Sequence, residues 1–145
     1  MALMAADATD RVEQLILLTD RLTSLIALEA QAFEARKPHE AAQYLEETAR
    51  LANLYRHEST RVRQDPTMVA EAPADQRTRL LRATEAFDAV LARQARALEA
   101  AKTVTEGLVR AIAEEVASQR TAGLGYGGQV GAAHASTAIT LNQRA

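Results

Sequence analysis

The sequence lacks cysteine and tryptophan and has few aromatic residues of any kind. Its 145 residues include two phenylalanines and three tyrosines. The absence of cysteine excludes disulfides and thiol chemistry and is typical of proteins of a reducing cytoplasm. Because large side chains are scarce, the apolar content consists mainly of alanine and leucine. Such a composition favours slender helices that approach one another closely over a thin core.

Neither sign of charge dominates, and no long apolar run is present. Seventeen basic and nineteen acidic residues are interleaved and give a formal net charge of -2. This balance provides no strong field for nucleic acid or acidic membranes. The longest apolar runs, such as residues 15–18, are too short to span a bilayer, and the N-terminal segment lacks the basic region of a signal peptide. We expect a cytoplasmic protein that binds no nucleic acid and is not embedded in a membrane.

The patterns that carry catalysis or hold cofactors are also missing. His39 and Glu40 begin a zinc-protease motif, but its second histidine is absent. No glutamate stands three residues before a histidine, as the di-iron helical bundles require. The glycines between 123 and 131 follow a helical pattern instead of opening one, and no Gly-Lys-Ser/Thr of a phosphate loop follows them. We expect no enzymatic activity, no metal and no cofactor.

Proline and glycine are rare and occur at a few positions that divide the chain. The prolines stand at 38, 66 and 73, and five of the six glycines lie between 123 and 131. Proline disfavours helical geometry in the residue before it and suits the first turn of a helix. The sequence therefore predicts a loop at 65–74, a flexible glycine-rich tail at 123–145, and helices over about 7–37, 38–64 and 75–122.

Apolar residues repeat at steps of three and four in the predicted helices. Leu18 and Leu25 widen the seam of the first helix, so that two neighbours can pack on it. That seam consists of Val12, Leu15, Thr19, Leu22, Ile26, Glu29 and Phe33. The third helix has the seam Leu80, Thr84, Phe87, Leu91, Gln94, Leu98, Ala101, Thr105, Leu108 and Ile112.

These seams predict the fold class. Short connections make neighbouring helices antiparallel, so residues 1–122 are predicted to form an all-α, elongated antiparallel three-helix bundle or coiled coil with a long third helix. Two positions are open for Glu29 on the seam: burial in the bundle, or the edge of the bundle, where its stem packs and its carboxylate reaches water. We favour the second.

The C-terminal portion of the third helix, at about 101–121, has an apolar stripe with no obvious partner in the chain. The stripe consists of Val104, Leu108, Ile112 and Val116. An uncovered helix face is a candidate binding surface, along which a disordered apolar segment of a partner can fold as a helix. Two alternatives stay open. The first helix covers more of the stripe than expected, or the chain self-associates there, as a coiled-coil adaptor, scaffold or regulator would.

Three segments of the chain match the order of features in a known family. They are the leucine-rich opening RVEQLILLTDRLTSLIALEAQAFEARKP, the helix AAQYLEETARLANLYRHESTRV with its E-x-x-R-L-x-x-x-Y motif from Glu47 to Tyr55, and the tail GLGYGGQV…TAITLNQRA. Together these segments resemble the FlgN family of flagellar type III export chaperones, in its divergent alphaproteobacterial form. The resemblance covers nearly the whole chain.

The resemblance implies a cytosolic, all-helical chaperone without enzymatic activity. Members of the family bind the C-terminal ends of the hook–filament junction proteins, keep those ends from assembling early and deliver them to the flagellar export gate. On this chain the cargo would bind the stripe of Val104, Leu108, Ile112 and Val116. By its position in the tail, Tyr126 would dock on the cytoplasmic domain of the export gate protein. A monomer and a weak homodimer both stay open.

Overall fold

The computed structural model describes residues 3–123, and this part of the chain consists of helices and short connections. Helix α1 spans Ala8–Glu34, α2 spans Pro38–Gln64, α3 spans Thr67–Ala70 and α4 spans Ala74–Gly123. No strand occurs between residues 3 and 123, and the predicted all-α bundle class is confirmed. Within the same residues, no helix combines the length and the apolar content that crossing a bilayer requires. The chain divides into two compact units, Met1–Ala101 and Lys102–Ala145.

Helix α1 is the central element of the first unit. Eleven of its 27 residues are buried, because α2 packs on one side of it and the first part of α4 packs on another. The main core cluster consists of Leu18, Leu22, Ile26 and Phe87, with Leu51, Ala52, Leu54, Tyr55 and Val90 packed against it. The rings of Tyr55 and Phe87 lie 4.9 Å apart between centroids. Leu18 and Leu25 are both buried, so the predicted widening of the α1 seam is confirmed.

A smaller cluster closes the end of this unit near α3. Val12, Ile16 and Ala72 are buried there, and Ala8, Val69 and Leu80 pack on them. The segment 65–74, which the sequence predicts to be a loop, contains a single helical turn, α3. The turn begins where the Asp65 carboxylate accepts a hydrogen bond from the Thr67 backbone N–H at 3.2 Å.

Helix α4 packs through a seam that keeps Phe87 of the predicted one but leaves out two of its leucines. Leu91 and Leu98 are exposed, whereas Ala83, Phe87 and Ala97 are its buried residues. The physical reason is the size of the side chains at the contact. Alanine allows two helix axes to approach more closely than leucine does, so the alanines face the neighbours and the leucines lie beside the contact.

The connection between α1 and α2 is a Schellman cap. The Lys37 backbone N–H donates to the Ala32 carbonyl at 2.9 Å, and the Arg36 N–H donates to the Phe33 carbonyl at 3.0 Å. Arg36 adopts a φ of 61°, the left-handed conformation that usually falls to glycine at this position. Pro38 occupies the first turn of α2, as predicted. The reversal lets α2 return along α1.

Exposed arginine–carboxylate pairs join α1 to its neighbours at three points. The pairs are Arg21–Glu47, Glu13–Arg79 and Glu34–Arg93, with nitrogen–oxygen distances of 2.7, 3.1 and 2.6 Å. The hydrogen bond from Arg93 lowers the pKa of Glu34, and the one from Arg21 lowers the pKa of Glu47. Exposed pairs of this kind contribute little to stability, but their spacing is consistent with one register of the helices.

Glu58 is a fully buried carboxylate that joins three parts of the first unit. Its Oε1 accepts a hydrogen bond from the Leu3 backbone N–H at 2.8 Å, and its Oε2 accepts one from Arg11 Nη1 at 3.2 Å. Arg61, one turn further along α2, donates to Oε1 at 3.2 Å. A buried charge is tolerated when it is paired and hydrogen-bonded in this way. Glu58 therefore ties the N-terminal segment and α1 to α2.

Glu29 is buried, and the prediction that its carboxylate reaches water is wrong. The residue is 2% exposed, because α2 covers the seam at this point. Its Oε2 accepts a hydrogen bond from the Thr48 hydroxyl of α2 at 3.0 Å. Burial raises the pKa of Glu29, and the bond from Thr48 opposes this shift in part.

Replacement of Leu22 by alanine is expected to destabilise the first unit by about 2–5 kcal/mol, because it opens a cavity in the main cluster. The matched control is Leu17→Ala on the same helix. Leu17 is 61% exposed whereas Leu22 is 0% exposed, so the control is expected to change stability by less than about 0.5 kcal/mol. Urea unfolding followed by circular dichroism measures both. Equal losses in the two variants would contradict the position of α1 in the core.

Replacement of Glu29 by glutamine is expected to stabilise the protein at pH 7 and to have little effect at pH 4. The pKa of Glu29 is higher in the folded than in the unfolded chain, so the folded state binds this proton more tightly. The resulting stability is complete below the unfolded pKa and is lost as the pH rises through the folded pKa. Glutamine keeps an acceptor for Thr48 and carries no charge.

Urea midpoints at the two pH values test this prediction. Glu47→Gln is a control that is expected to destabilise the protein at pH 7. Arg21 lowers the pKa of Glu47, so the stabilising contribution of this carboxylate is present at pH 7 and is lost in the variant. A Glu29→Gln variant that is less stable than the wild type at pH 7 would contradict the argument.

Candidate functional site

The predicted stripe lies on the part of α4 that belongs to the second unit. Val104, Leu108, Ile112 and Val116 are between 40% and 60% exposed. Steps of four residues place them in a row along one side of the helix, inclined to its axis. None of residues 102–123 is buried. This described part of the second unit therefore presents an apolar stripe to solvent.

The sequence of the second unit continues a packing pattern that is used in the first. Val104 stands seven residues after Ala97 and fourteen after Val90. Leu108 stands seven residues after Ala101 and twenty-one after Phe87. These heptad positions are buried or half-buried up to Ala101 and are exposed at Val104 and Leu108. The stripe thus has the sequence pattern of a helix-packing surface.

Charged residues are sparse beside the stripe. Arg110 is two residues from Leu108, which is about 200° around the helix and places it on the opposite side. Lys102 pairs with Glu106 at 3.9 Å. Glu115 follows Leu108 by seven residues on the same side and accepts a hydrogen bond from Gln119 at 3.2 Å. A helix that covered the stripe would therefore meet mainly apolar side chains and one carboxylate.

Gly107 lies in the interior of α4, next to the stripe. Glycine costs about 1 kcal/mol relative to alanine at such a position. A β-carbon placed there would meet no atom of the described residues within 4 Å, so packing in this part of the chain does not explain the glycine. Its missing side chain would allow another backbone to approach α4 closely.

The other predicted site residue, Tyr126, lies outside the described residues. The same holds for the predicted tail from position 124 onward, whereas Gly123 is the last residue of α4. Of the predicted site, residues 3–123 therefore place the four stripe residues together on one helix.

Metal binding or acid–base chemistry would require clustered or perturbed side chains among the described residues. Within residues 3–123, no three side chains of histidine, cysteine, aspartate or glutamate lie close enough to hold a metal ion. The carboxylates with shifted pKa values are Asp10, Glu29, Glu34 and Glu47. Burial or a nearby structural hydrogen bond explains each of these shifts, and we take the stripe as the candidate site.

A second apolar feature, which the sequence analysis did not single out, is a groove in the first unit. It has a volume of about 420 Å³ and lies between α2 and α4, with α1 as its floor. Its lining consists of Leu15, Thr19, Tyr55, Glu58, Ser59, Val62, Arg63, Pro66, Leu80 and Thr84. No sequence pattern pointed to this groove, because its lining comes from three helices that only their packing brings together.

The chain is similar to a known flagellar protein. The chain is 64% identical to the flagellar basal-body protein FlbY of Caulobacter vibrioides over an alignment of 149 positions, which covers the whole of both chains. No protein-family model and no solved structure matches the chain.

Proposed function

Because the chain belongs to the family of the flagellar basal-body protein FlbY, we propose that it is a cytoplasmic chaperone of flagellar export without enzymatic activity. It binds the C-terminal ends of hook–filament junction proteins, prevents their premature assembly and delivers them to the export gate. The flagellar association of the relative and the FlgN-like order of segments in the sequence support this proposal. The observation that carries it is the exposed apolar stripe of Val104, Leu108, Ile112 and Val116 on α4.

The stripe suits a partner segment that folds as it binds. Full burial of a valine or leucine side chain contributes about 1.5–3 kcal/mol relative to full exposure. The four side chains are about half exposed, so covering them contributes roughly 3–6 kcal/mol in sum. Ordering a disordered cargo end opposes this gain. The expected result is moderate affinity, which is compatible with release of the cargo at the gate.

Tyr126 is the second contact in this proposal. Tyrosine provides a large contact area, few rotatable bonds and one hydroxyl, which makes it a good anchor in protein interfaces. The glycines around Tyr126 have the composition of a flexible linker. Through such a linker, Tyr126 would dock on the cytoplasmic domain of the export gate protein while the stripe holds the cargo.

Self-association is the second candidate for the stripe. A heptad pattern exposed on a helix is also what a coiled-coil adaptor or regulator uses to pair with another copy. Gly107, at which no described neighbour needs the space, fits close approach of either kind of helix. The two candidates differ in the oligomeric state of the protein without cargo.

Replacement of Leu108 by aspartate is expected to abolish cargo binding, because it places a charge in the centre of the stripe. Isothermal titration calorimetry with peptides from the C-terminal ends of the same cell's junction proteins measures the binding. Leu81→Asp is a matched control, since Leu81 and Leu108 are both 60% exposed on the same helix. We expect one-to-one binding for the wild type and for the Leu81 variant.

Two outcomes would contradict the cargo site. One is equal binding by the Leu108→Asp and Leu81→Asp variants. The other is the absence of heat with every junction peptide, together with a dimer mass in light scattering that the Leu108 variant loses. The second outcome would assign the stripe to self-association.

Replacement of Tyr126 by alanine is expected to leave cargo binding unchanged and to abolish motility, because the anchor for the gate is lost while the stripe is intact. Swimming in soft agar and calorimetry with the junction peptides measure the two effects. Gln129→Ala, in the same tail, is expected to preserve both. Normal motility of the Tyr126→Ala strain would reject the assignment of gate docking to this residue.

A further inference from the structure

We propose that the groove between α2 and α4 in the first unit is a second docking site, and that it receives an amphipathic helix with an acidic polar face from a partner protein. The site is separate from the stripe on residues 102–123, and the proposal does not depend on the export function. Its basis is the shape, the polarity and the charge of the groove.

The groove is apolar although several hydroxyl groups stand in or beside it. On its floor, the Thr19 hydroxyl donates to the Leu15 carbonyl at 2.7 Å. On the wall formed by α4, the Thr84 hydroxyl donates to the Leu80 carbonyl at 3.0 Å. Because both hydroxyl protons are used within their own helices, these threonines present mainly methyl groups to a ligand. Apolar side chains of a partner can therefore enter without leaving either donor unpaired.

Beyond the residues that line the groove, a track of exposed apolar residues lies on the two helices that form its walls. On α4, Leu91 and Leu98 follow Thr84 at steps of seven, and both are exposed. On α2, Leu45 stands fourteen residues before Ser59 and is also exposed. Residues seven apart lie on nearly the same side of a helix, with a drift of about 20° per heptad. An extended track of this kind fits a helix laid in a groove better than a compact ligand.

The charges of the groove favour an acidic occupant. Glu58 is the acidic residue of its lining, and Arg11 and Arg61 both bond to it. Arg63 also lines the groove and forms no ion pair with the residues that the structure describes. Three arginines, Glu58 and Asp65, which precedes Pro66 of the lining, leave a formal excess of one positive charge at this end of the groove. Glutamate or aspartate on the polar face of a bound helix would pair with this excess.

Helix α1 is acidic, but it is packed at the centre of the first unit, and residues 102–145 provide no acidic helix for the groove. The apolar stripe segment, residues 102–123, has three acidic residues (Glu106, Glu114, Glu115) and three basic residues (Lys102, Arg110, Arg120). Residues 124–145 contain no acidic residue and one arginine. Charge complementarity therefore points to a helix from another protein rather than to a second copy or to the C-terminal segment.

The test uses the full-length protein and two synthetic amidated helical peptides. One peptide consists of leucine and glutamate, and the other has lysine in place of every glutamate. Fluorescence anisotropy measures their binding to the wild type and to three variants. Ser59→Trp fills the groove, Arg63→Glu reverses the charge of its rim, and Arg56→Glu is the matched reversal on the same helix outside the lining. Circular dichroism verifies that each variant is folded.

We expect the acidic peptide to bind at least tenfold more tightly than the basic one. Ser59→Trp is expected to weaken binding of the acidic peptide at least tenfold, and Arg63→Glu several-fold, while Arg56→Glu leaves it unchanged. Should Ser59→Trp fail to fold, Leu91→Asp replaces it, because Leu91 is exposed and its substitution removes part of the track without opening the core.

Three results would overturn the proposal. The first is equal affinity for the acidic and basic peptides. The second is a binding site outside the groove. Binding of the acidic peptide would then be unchanged by Ser59→Trp and Leu91→Asp, or would be abolished by Leu108→Asp. The third is a dimer of the free protein that Ser59→Trp dissociates, which would make a second copy the occupant. A negative calorimetric result with junction peptides would leave this proposal intact.

Discussion

The need to cover α1 on two sides organises the first unit. Its buried residues extend around more than one face, and no single neighbouring helix can cover that much surface. Helix α2 returns along α1 through the cap at Arg36, and α4 approaches through Ala83, Phe87 and Ala97. The small side chains of α4 suit this arrangement, because alanines allow the helices to approach closely. The rings of Phe87 and Tyr55 form an aromatic contact within the core.

Polar groups fix the arrangement that apolar burial alone leaves loosely specified. Two carboxylates are buried between α1 and α2, and they are satisfied in different ways. Glu58 forms salt bridges with Arg11 and Arg61 and accepts a hydrogen bond from the Leu3 backbone N–H, whereas Glu29 has one hydroxyl partner and a raised pKa. Misplacing either helix would leave a buried polar group without its partner, which costs free energy. These contacts therefore support one register of α2 on α1.

The two surfaces proposed for binding differ in their chemistry. The stripe on residues 102–123 is apolar, with Glu115 as the charged residue on its side, and it suits recognition by shape and apolar contact. The groove between α2 and α4 combines apolar walls with an excess of arginine at one end, and it suits a partner of defined charge. A protein that binds two partners through two surfaces needs surfaces that differ enough for each partner to bind only one of them. The difference in charge would provide that discrimination.

The fold class and the candidate site of this protein can be predicted from its sequence. The heptad repeats and the prolines at 38 and 66 predict an all-α bundle, and the stripe of Val104, Leu108, Ile112 and Val116 is visible as apolar residues at steps of four. These features are local, because helix periodicity and proline geometry act within a few residues. The burial of Glu29, the choice of Ala97 over Leu98 at the contact and the groove beside Tyr55 were not predictable in this way. Each depends on which side of a helix another helix covers, and that is set by packing between residues far apart in the chain.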